Sequence, residues 1–167
     1  LSVIFLLSLI IPMFFSTILY SRDLPNGLYN LILVFLLPWA TDVGGYVFGR
    51  LFGRYKLAPV ISPKKTVEGS VGGVASALVI SFCIAYILDL FDPALSVNYV
   101  WLFVCALLCS ILSIVGDLIA SVIKRNFNIK DFGNIIPGHG GIMDRFDSVV
   151  FAAPAFYLLV VHYPIFF

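Results

Sequence analysis

The stretch Ser121-Val-Ile-Lys124-Arg125-Asn-Phe-Asn-Ile-Lys130-Asp131-Phe-Gly133-Asn-Ile-Ile-Pro137-Gly138-His139-Gly140-Gly141-Ile-Met-Asp144-Arg145-Phe-Asp147 decides how this chain is read. It packs four cations, three carboxylates, a histidine and four glycines into 27 residues, with long apolar runs on either side. Ionised side chains are costly beside lipid, so this cluster is not ordinary surface. Its mixture of residues suggests a site for phosphates and a metal ion.

Outward from that stretch the chain is 61% hydrophobic and 11% charged, with a mean hydropathy of +1.07. A soluble domain of this length needs far more polar surface, so the composition indicates an integral membrane protein. A cleaved signal peptide does not explain the apolar runs, because they recur to the last residue. Five spans are expected, at about 2–20, 28–49, 67–90, 99–123 and 148–166, each near the roughly 20 residues a helix needs to cross the hydrocarbon. The expected fold is an all-α membrane protein forming a single domain over 1–167. The chain begins with Leu and opens directly on a span, so a processed or truncated chain is expected. Cys83, Cys105 and Cys109 fall inside apolar runs without zinc spacing and read as small buried hydrophobes.

Nine of the ten Lys and Arg lie at 50–66 or 124–147: Arg50, Arg54, Lys56, Lys64, Lys65, Lys124, Arg125, Lys130 and Arg145. With five spans these two loops share one side of the membrane, and the positive-inside rule makes that side the cytoplasm. Topological signalling accounts for some of the cations. It does not account for Asp131, His139, Asp144 and Asp147, since acids contribute little to orientation.

Two carboxylates fall within spans, Asp42 and Asp117, where a charge costs about 2.5–3.5 kcal/mol even on an insertion scale. Ser110, Ser113, Asp117, Ser121 and Lys124 follow one another at steps of three or four, which puts them on one helical stripe running toward the second basic loop. Serine-mediated helix packing is the plain alternative for that stripe. Asp42 shares a face with Gly45, Tyr46 and Gly49, and stands open between a site residue and an interhelical partner. Gly69 and Gly73 have the small-xxx-small spacing of closely packed helices.

The segment Ser62-Pro63-Lys64-Lys65-Thr66-Val-Glu68-Gly69 opens the third span, with Thr66 or Ser62 as its cap. Lysines beside a helix N-terminus can hold an anion through point charge, free amides and the helix dipole; the alternative is lysines lying against lipid headgroups. In the long stretch, Gly138, Gly140 and Gly141 allow close backbone approach to a ligand. Lys124, Arg125, Lys130 and Arg145 can neutralise phosphates. Asp144 and Asp147, one helical turn apart, can present oxygens to a metal together with Asp117, and oxygen donors suit magnesium. Pairing of Arg145 with these acids is the bland alternative. His139 has no second His or Cys at zinc spacing and fits a phosphate contact better than a metal ligand. His162 reads as interfacial or packed.

The run from Ser121 to Asp147 resembles the signature of the phosphatidate cytidylyltransferases, the CDP-diacylglycerol synthases. The series Asp42…Tyr46…Gly49-Arg50…Gly53-Arg54…Pro59…Ser62-Pro63-Lys64-Lys65-Thr66-Val-Glu68-Gly69 resembles that family's preceding stretch. The resemblance implies an enzyme of the inner or plasma membrane that joins CTP to phosphatidic acid and releases pyrophosphate, its site facing the cytoplasm. It implies magnesium, with a second cation such as potassium in some members. Carried over by position, Asp117, Asp144 and Asp147 resemble the metal-site carboxylates, with Asp117, Asp144, Lys124 and Arg125 as the catalytic set. Ser62, Lys64, Lys65, Thr66, Ser121, Lys130, His139, Gly140, Gly141 and Arg145 resemble substrate contacts. One position departs: many relatives carry an acid where this chain has Ala120, so a cation held by that acid would meet an altered site here. Set against the usual length of the family it resembles, the chain is also expected to lack N-terminal spans.

Expected partners are CTP, phosphatidic acid and the lipid bilayer, with no nucleic acid and with a homodimer left open. Three other readings stand beside this one. They are a CTP-dependent transferase or kinase acting on an isoprenoid or ether lipid, an inactive family member, and an ion transporter using Asp42 and Asp117. Charge gathered at one face argues against the transporter.

Overall fold

The computed structural model describes the backbone of residues 2–129, 131–133 and 141–167, with side chains from Ser8 onward in those segments. Helix α1 spans Ser2–Arg22 and α2 Gly27–Phe52. A hairpin of β1 (Lys56–Ala58) and β2 (Ser62–Thr66) follows, then α3 (Val67–Phe91), α4 (Tyr99–Asn126) and α5 (Met143–His162). Four of the helices, α2 to α5, are long and apolar enough to cross a membrane, and Ser8–Arg22 adds a shorter apolar stretch. Leu28, Val43, Val71, Val79, Leu90, Val100 and Leu158 all point outward from the bundle. So broad an exposed apolar surface needs lipid to cover it, and the chain is an integral membrane protein.

Helix α2 packs on all four other helices, and α4 packs on α2, α3 and α5. Leu33 and Leu37 of α2, Leu102 and Cys105 of α4, and Val149 and Phe156 of α5 form the fully buried centre. Cys105 and Cys109 are buried free thiols, as their apolar setting suggests, whereas Cys83 is exposed on the outer face of α3. Pro12, Pro38 and Pro154 sit inside helices, a position that neighbouring helices make tolerable in a membrane bundle.

Helices α2 and α3 make the closest pair, and glycine is the reason. A Cβ on Gly69 would lie 2.6 Å from the Gly45 carbonyl oxygen and 2.9 Å from Gly49 Cα, and one on Gly73 would lie 2.5 Å from the Thr41 carbonyl oxygen. The spacing of Gly69 and Gly73 thus serves close packing, as the sequence suggests.

Four boundaries differ from the sequence expectation by three residues or more, among them the ends of α2 at Phe52 and of α5 at His162. Helix α4 continues to Asn126, and α5 begins at Met143 rather than at 148. Lys124 and Arg125 therefore sit in the last turn of α4, and Asp144 and Asp147 in the first turns of α5. The polar side chains mask both ends from a hydropathy reading, although the backbone remains helical. The hairpin is the other difference. Ser62 to Thr66 form a strand with Pro63 inside it, paired in an antiparallel register of Lys56 with Thr66 and Ala58 with Ser62. In a two-stranded edge the missing proline N–H costs little, and short polar strands carry no apolar alternation that sequence could reveal.

Candidate active site

At the end of the bundle where α2, α4 and the hairpin meet the starts of α3 and α5, a cavity of about 430 Å³ opens. Helix α2 supplies Thr41, Asp42, Gly45 and Tyr46; β2 supplies Lys64, Lys65 and Thr66; α3 supplies Gly69 and Ser70. Helix α4 adds Ile114, Asp117 and Lys124, the following loop adds Asp131, and α5 adds Asp144, Arg145 and Asp147. Residues more than 100 positions apart in sequence thus share one wall.

Local structure explains how each side chain is aimed. Thr66 caps α3, its Oγ1 accepting from the Gly69 N–H at 3.1 Å, as N-cap threonines do. The Glu68 carboxylate accepts from the Tyr55 N–H at 3.2 Å and ties the chain entering the hairpin to the same helix start. Between those anchors Lys64 and Lys65 are held at the cavity rim. Lys65 forms an ion pair with Asp117 on α4. From the last turn of α4, Lys124 Nζ donates to Asp144 Oδ1 at 3.0 Å and to Asp147 Oδ2 at 3.4 Å. The same ammonium lies 5.2 Å from the Phe132 ring centroid.

Asp144 is the most heavily committed carboxylate. Besides Lys124 it accepts from the backbone N–H groups of Phe132 and Gly141, each at 2.9 Å. It therefore ties both ends of the glycine-rich connection to α4 and α5. Gly141 is buried, and a Cβ there would crowd Gly133 at 2.9–3.0 Å. Trp39 Nε1 donates to the Arg145 carbonyl at 3.4 Å, and its ring lies 6.3 Å from that of Phe146. This contact braces the turn of α5 that carries Asp144 and Asp147.

Of the residues singled out by sequence, the cavity gathers Asp117, Lys124, Asp144, Arg145, Asp147, Lys64, Lys65 and Thr66, together with Asp42. Ser62, Ser121 and Arg125 lie off its wall. The Arg125 guanidinium instead donates from Nε to the Ile61 carbonyl at 3.4 Å, fastening the hairpin turn to α4. Lys130, His139 and Gly140 lie outside the described residues. Ala120 is buried at 3% exposure, away from the cavity wall. Ser110 and Ser113 are fully buried. Ser110 Oγ donates back to the Ala106 carbonyl of its own helix at 2.6 Å, so this hydroxyl makes no link between helices. His162 lies 2.8 Å through Nδ1 from the Leu158 carbonyl oxygen, at the exposed end of α5.

Sequence reasoning missed Ser148 and Trp39. Ser148 Oγ donates to Asp42 Oδ2 at 2.8 Å. A serine in an apolar span carries no signal of its own, and its partner is 106 positions away.

As a metal site the donor set is oxygen only, which suits magnesium, an ion that commonly takes one or two carboxylates and completes its shell with substrate phosphates and water. Among the described residues no three acidic, His or Cys side chains converge as a closed cage. An ion shared with substrate does not require one.

A cavity lined by both lysines and aspartates, set into one end of an apolar helical bundle, defines the class as a membrane protein with a charged pocket at one end of its helices. The chain belongs to the cytidylyltransferase family, whose sequence model matches residues 1–163. It is similar to the phosphatidate cytidylyltransferases of Staphylococcus haemolyticus (43% identical over 136 residues), Staphylococcus saprophyticus (46% over 137) and Staphylococcus aureus (43% over 137). Each alignment covers 81% of this chain and 50% of the relative, so the chain spans about half the length of the curated relatives it matches.

Proposed function

We propose that this protein transfers the cytidylyl group of CTP to phosphatidic acid, giving CDP-diacylglycerol and pyrophosphate, at the cytoplasmic face of the inner or plasma membrane. The observation that carries this reading is the single cavity in which Lys64, Lys65, Lys124 and Arg145 face Asp42, Asp117, Asp144 and Asp147. Membership of the cytidylyltransferase family supports it. The basic loops at that end support the cytoplasmic orientation.

A phosphatidate oxygen attacks the α-phosphorus of CTP, a new P–O–P bond forms, and the bond to pyrophosphate breaks. A phosphomonoester has a second pKa of about 6, so the nucleophile is ionised at neutral pH and no general base is required. The barrier is the repulsion between two anions, which positioning and charge neutralisation can lower. Lys64 and Lys65, steadied by the hairpin and by the Thr66 cap, supply positive charge from one wall. Lys124 supplies it from the other, its direction set by Asp144 and Asp147. Asp117, Asp144 and Asp147 are the residues that would hold magnesium. That ion, when bound, would supply further neutralisation at the phosphates. The acyl chains stay in the bilayer while the headgroup enters the cavity.

Membranes carrying the protein, given phosphatidic acid and α-labelled CTP with magnesium, should yield labelled lipid, and a chelator should abolish the product. Lipid labelled from γ-labelled CTP instead would mean kinase chemistry. No lipid labelling from either would overturn the proposal.

A further inference from the structure

Ser148 stands one residue beyond Asp147 on α5, is 1% exposed and is not part of the cavity wall, yet it grips two of the wall's carboxylates. Its hydroxyl donates to Asp42 Oδ2 on α2 at 2.8 Å. Its backbone N–H donates to Asp147 Oδ1 at 2.9 Å. Among the described residues Asp117, Asp144 and Asp147 each have a lysine partner, whereas Asp42 has none. Asp42 is exposed and lines the cavity, so it keeps much of its hydration, and its bond to Ser148 is not needed to offset a buried charge. Its place in the cavity supplies a reason to keep it.

We infer that Ser148 is a positioning residue of the transfer reaction, clasping Asp42 and Asp147 across the α2–α5 seam so that the acidic wall keeps one preset spacing. The inference rests on the cytidylyl transfer proposed above. Its logic is that of any charge-stabilising site: groups held in place before reaction need no reorganisation during it. Asp42 is thereby part of the working wall rather than a helix-packing residue.

Ser148→Ala should lower turnover by about tenfold, the loss of roughly one hydrogen bond to a charged group. The apparent KM for CTP should stay within about twofold, since ground-state binding is untouched. The melting temperature should fall by only a few degrees, about what one lost hydrogen bond costs. In a double-mutant cycle, Ser148→Ala should add nothing further to Asp42→Ala. Independently of activity, the carboxylate infrared band that disappears in Asp42→Ala should shift in Ser148→Ala. Normal Ser148→Ala turnover, a loss confined to KM, or a multiplicative double mutant would each overturn the inference. A wild-type protein without transferase activity would sink the transfer reading alone; the clasp would then stand or fall on the infrared band, and an unmoved band overturns it.

Discussion

Lys124 is wedged between Asp144 and Asp147 with its side chain 12% exposed, and the two carboxylates are each 8% exposed. Removing one member of such a buried arrangement leaves uncompensated charge, at a cost of roughly 3–5 kcal/mol. Lys124→Met should therefore lower the melting temperature and, because it deletes cavity charge, raise the apparent KM for CTP at least about tenfold; an unchanged KM would remove Lys124 from nucleotide capture. Asp144→Asn can keep one oxygen as acceptor for the Phe132 and Gly141 N–H groups, which both bond to Oδ2, but it removes the negative charge and turns an NH2 group toward Lys124 in place of Oδ1. Product formation should fall by about a hundredfold or more while the protein still inserts in the membrane, and near-normal turnover would dismiss Asp144 as a site carboxylate. Both residues were legible in the sequence because charge flanked by apolar runs has few structural excuses. Ser148 and Trp39 were not, because each is ordinary in an apolar helix and gains meaning only from partners brought to it by folding.

Helices α2 and α3 approach through glycine, and the two sides of that contact are unequal. A methyl on Gly69 would strike Gly45 backbone at 2.6 Å, whereas a methyl on Gly45 would meet the Gly69 carbonyl oxygen at an ordinary 3.5 Å. Gly69→Ala should thus force the helices apart and destabilise by about 1–3 kcal/mol, while Gly45→Ala should be neutral or slightly stabilising through helix propensity. Thermal melting of the two variants in detergent checks this, and equal melting temperatures would show that the seam is slack. Because Lys65 and Thr66 stand at the start of α3, Gly69→Ala should also blunt activity. At this scale the long apolar runs made the helices readable, and the small-xxx-small spacing made their closest seam readable. The first turns of α5 were hidden by Asp144, Arg145 and Asp147, whose polarity outweighs the period of the helix they begin. The hairpin was hidden because its strands draw stability from backbone pairing and from Glu68 and Arg125, none of which leaves an alternating pattern.

Helices that alternate in direction sort the connections of the whole molecule onto two ends. The hairpin joining α2 and α3 lies at the cavity end, and its tip residue Val60 is 89% exposed. The connection from α3 to α4, with Ala94 exposed on it, lies at the other end, where the chain terminus pairs with it through Ser96 and Phe167. Nine of the ten Lys and Arg fall in the two sequence stretches assigned to the cavity end, and charge asymmetry of that kind sets orientation during insertion. The proposed transfer requires that end to face the nucleotide pool. In a Cys83→Ser background, which removes the exposed native thiol, Val60→Cys should react with a membrane-impermeant maleimide in inside-out vesicles and be protected in right-side-out ones. Ala94→Cys should show the reverse. Labelling of both positions from one side would break the alternation of spans, and the opposite pattern would place the cavity away from CTP and leave the proposed transfer without its second substrate.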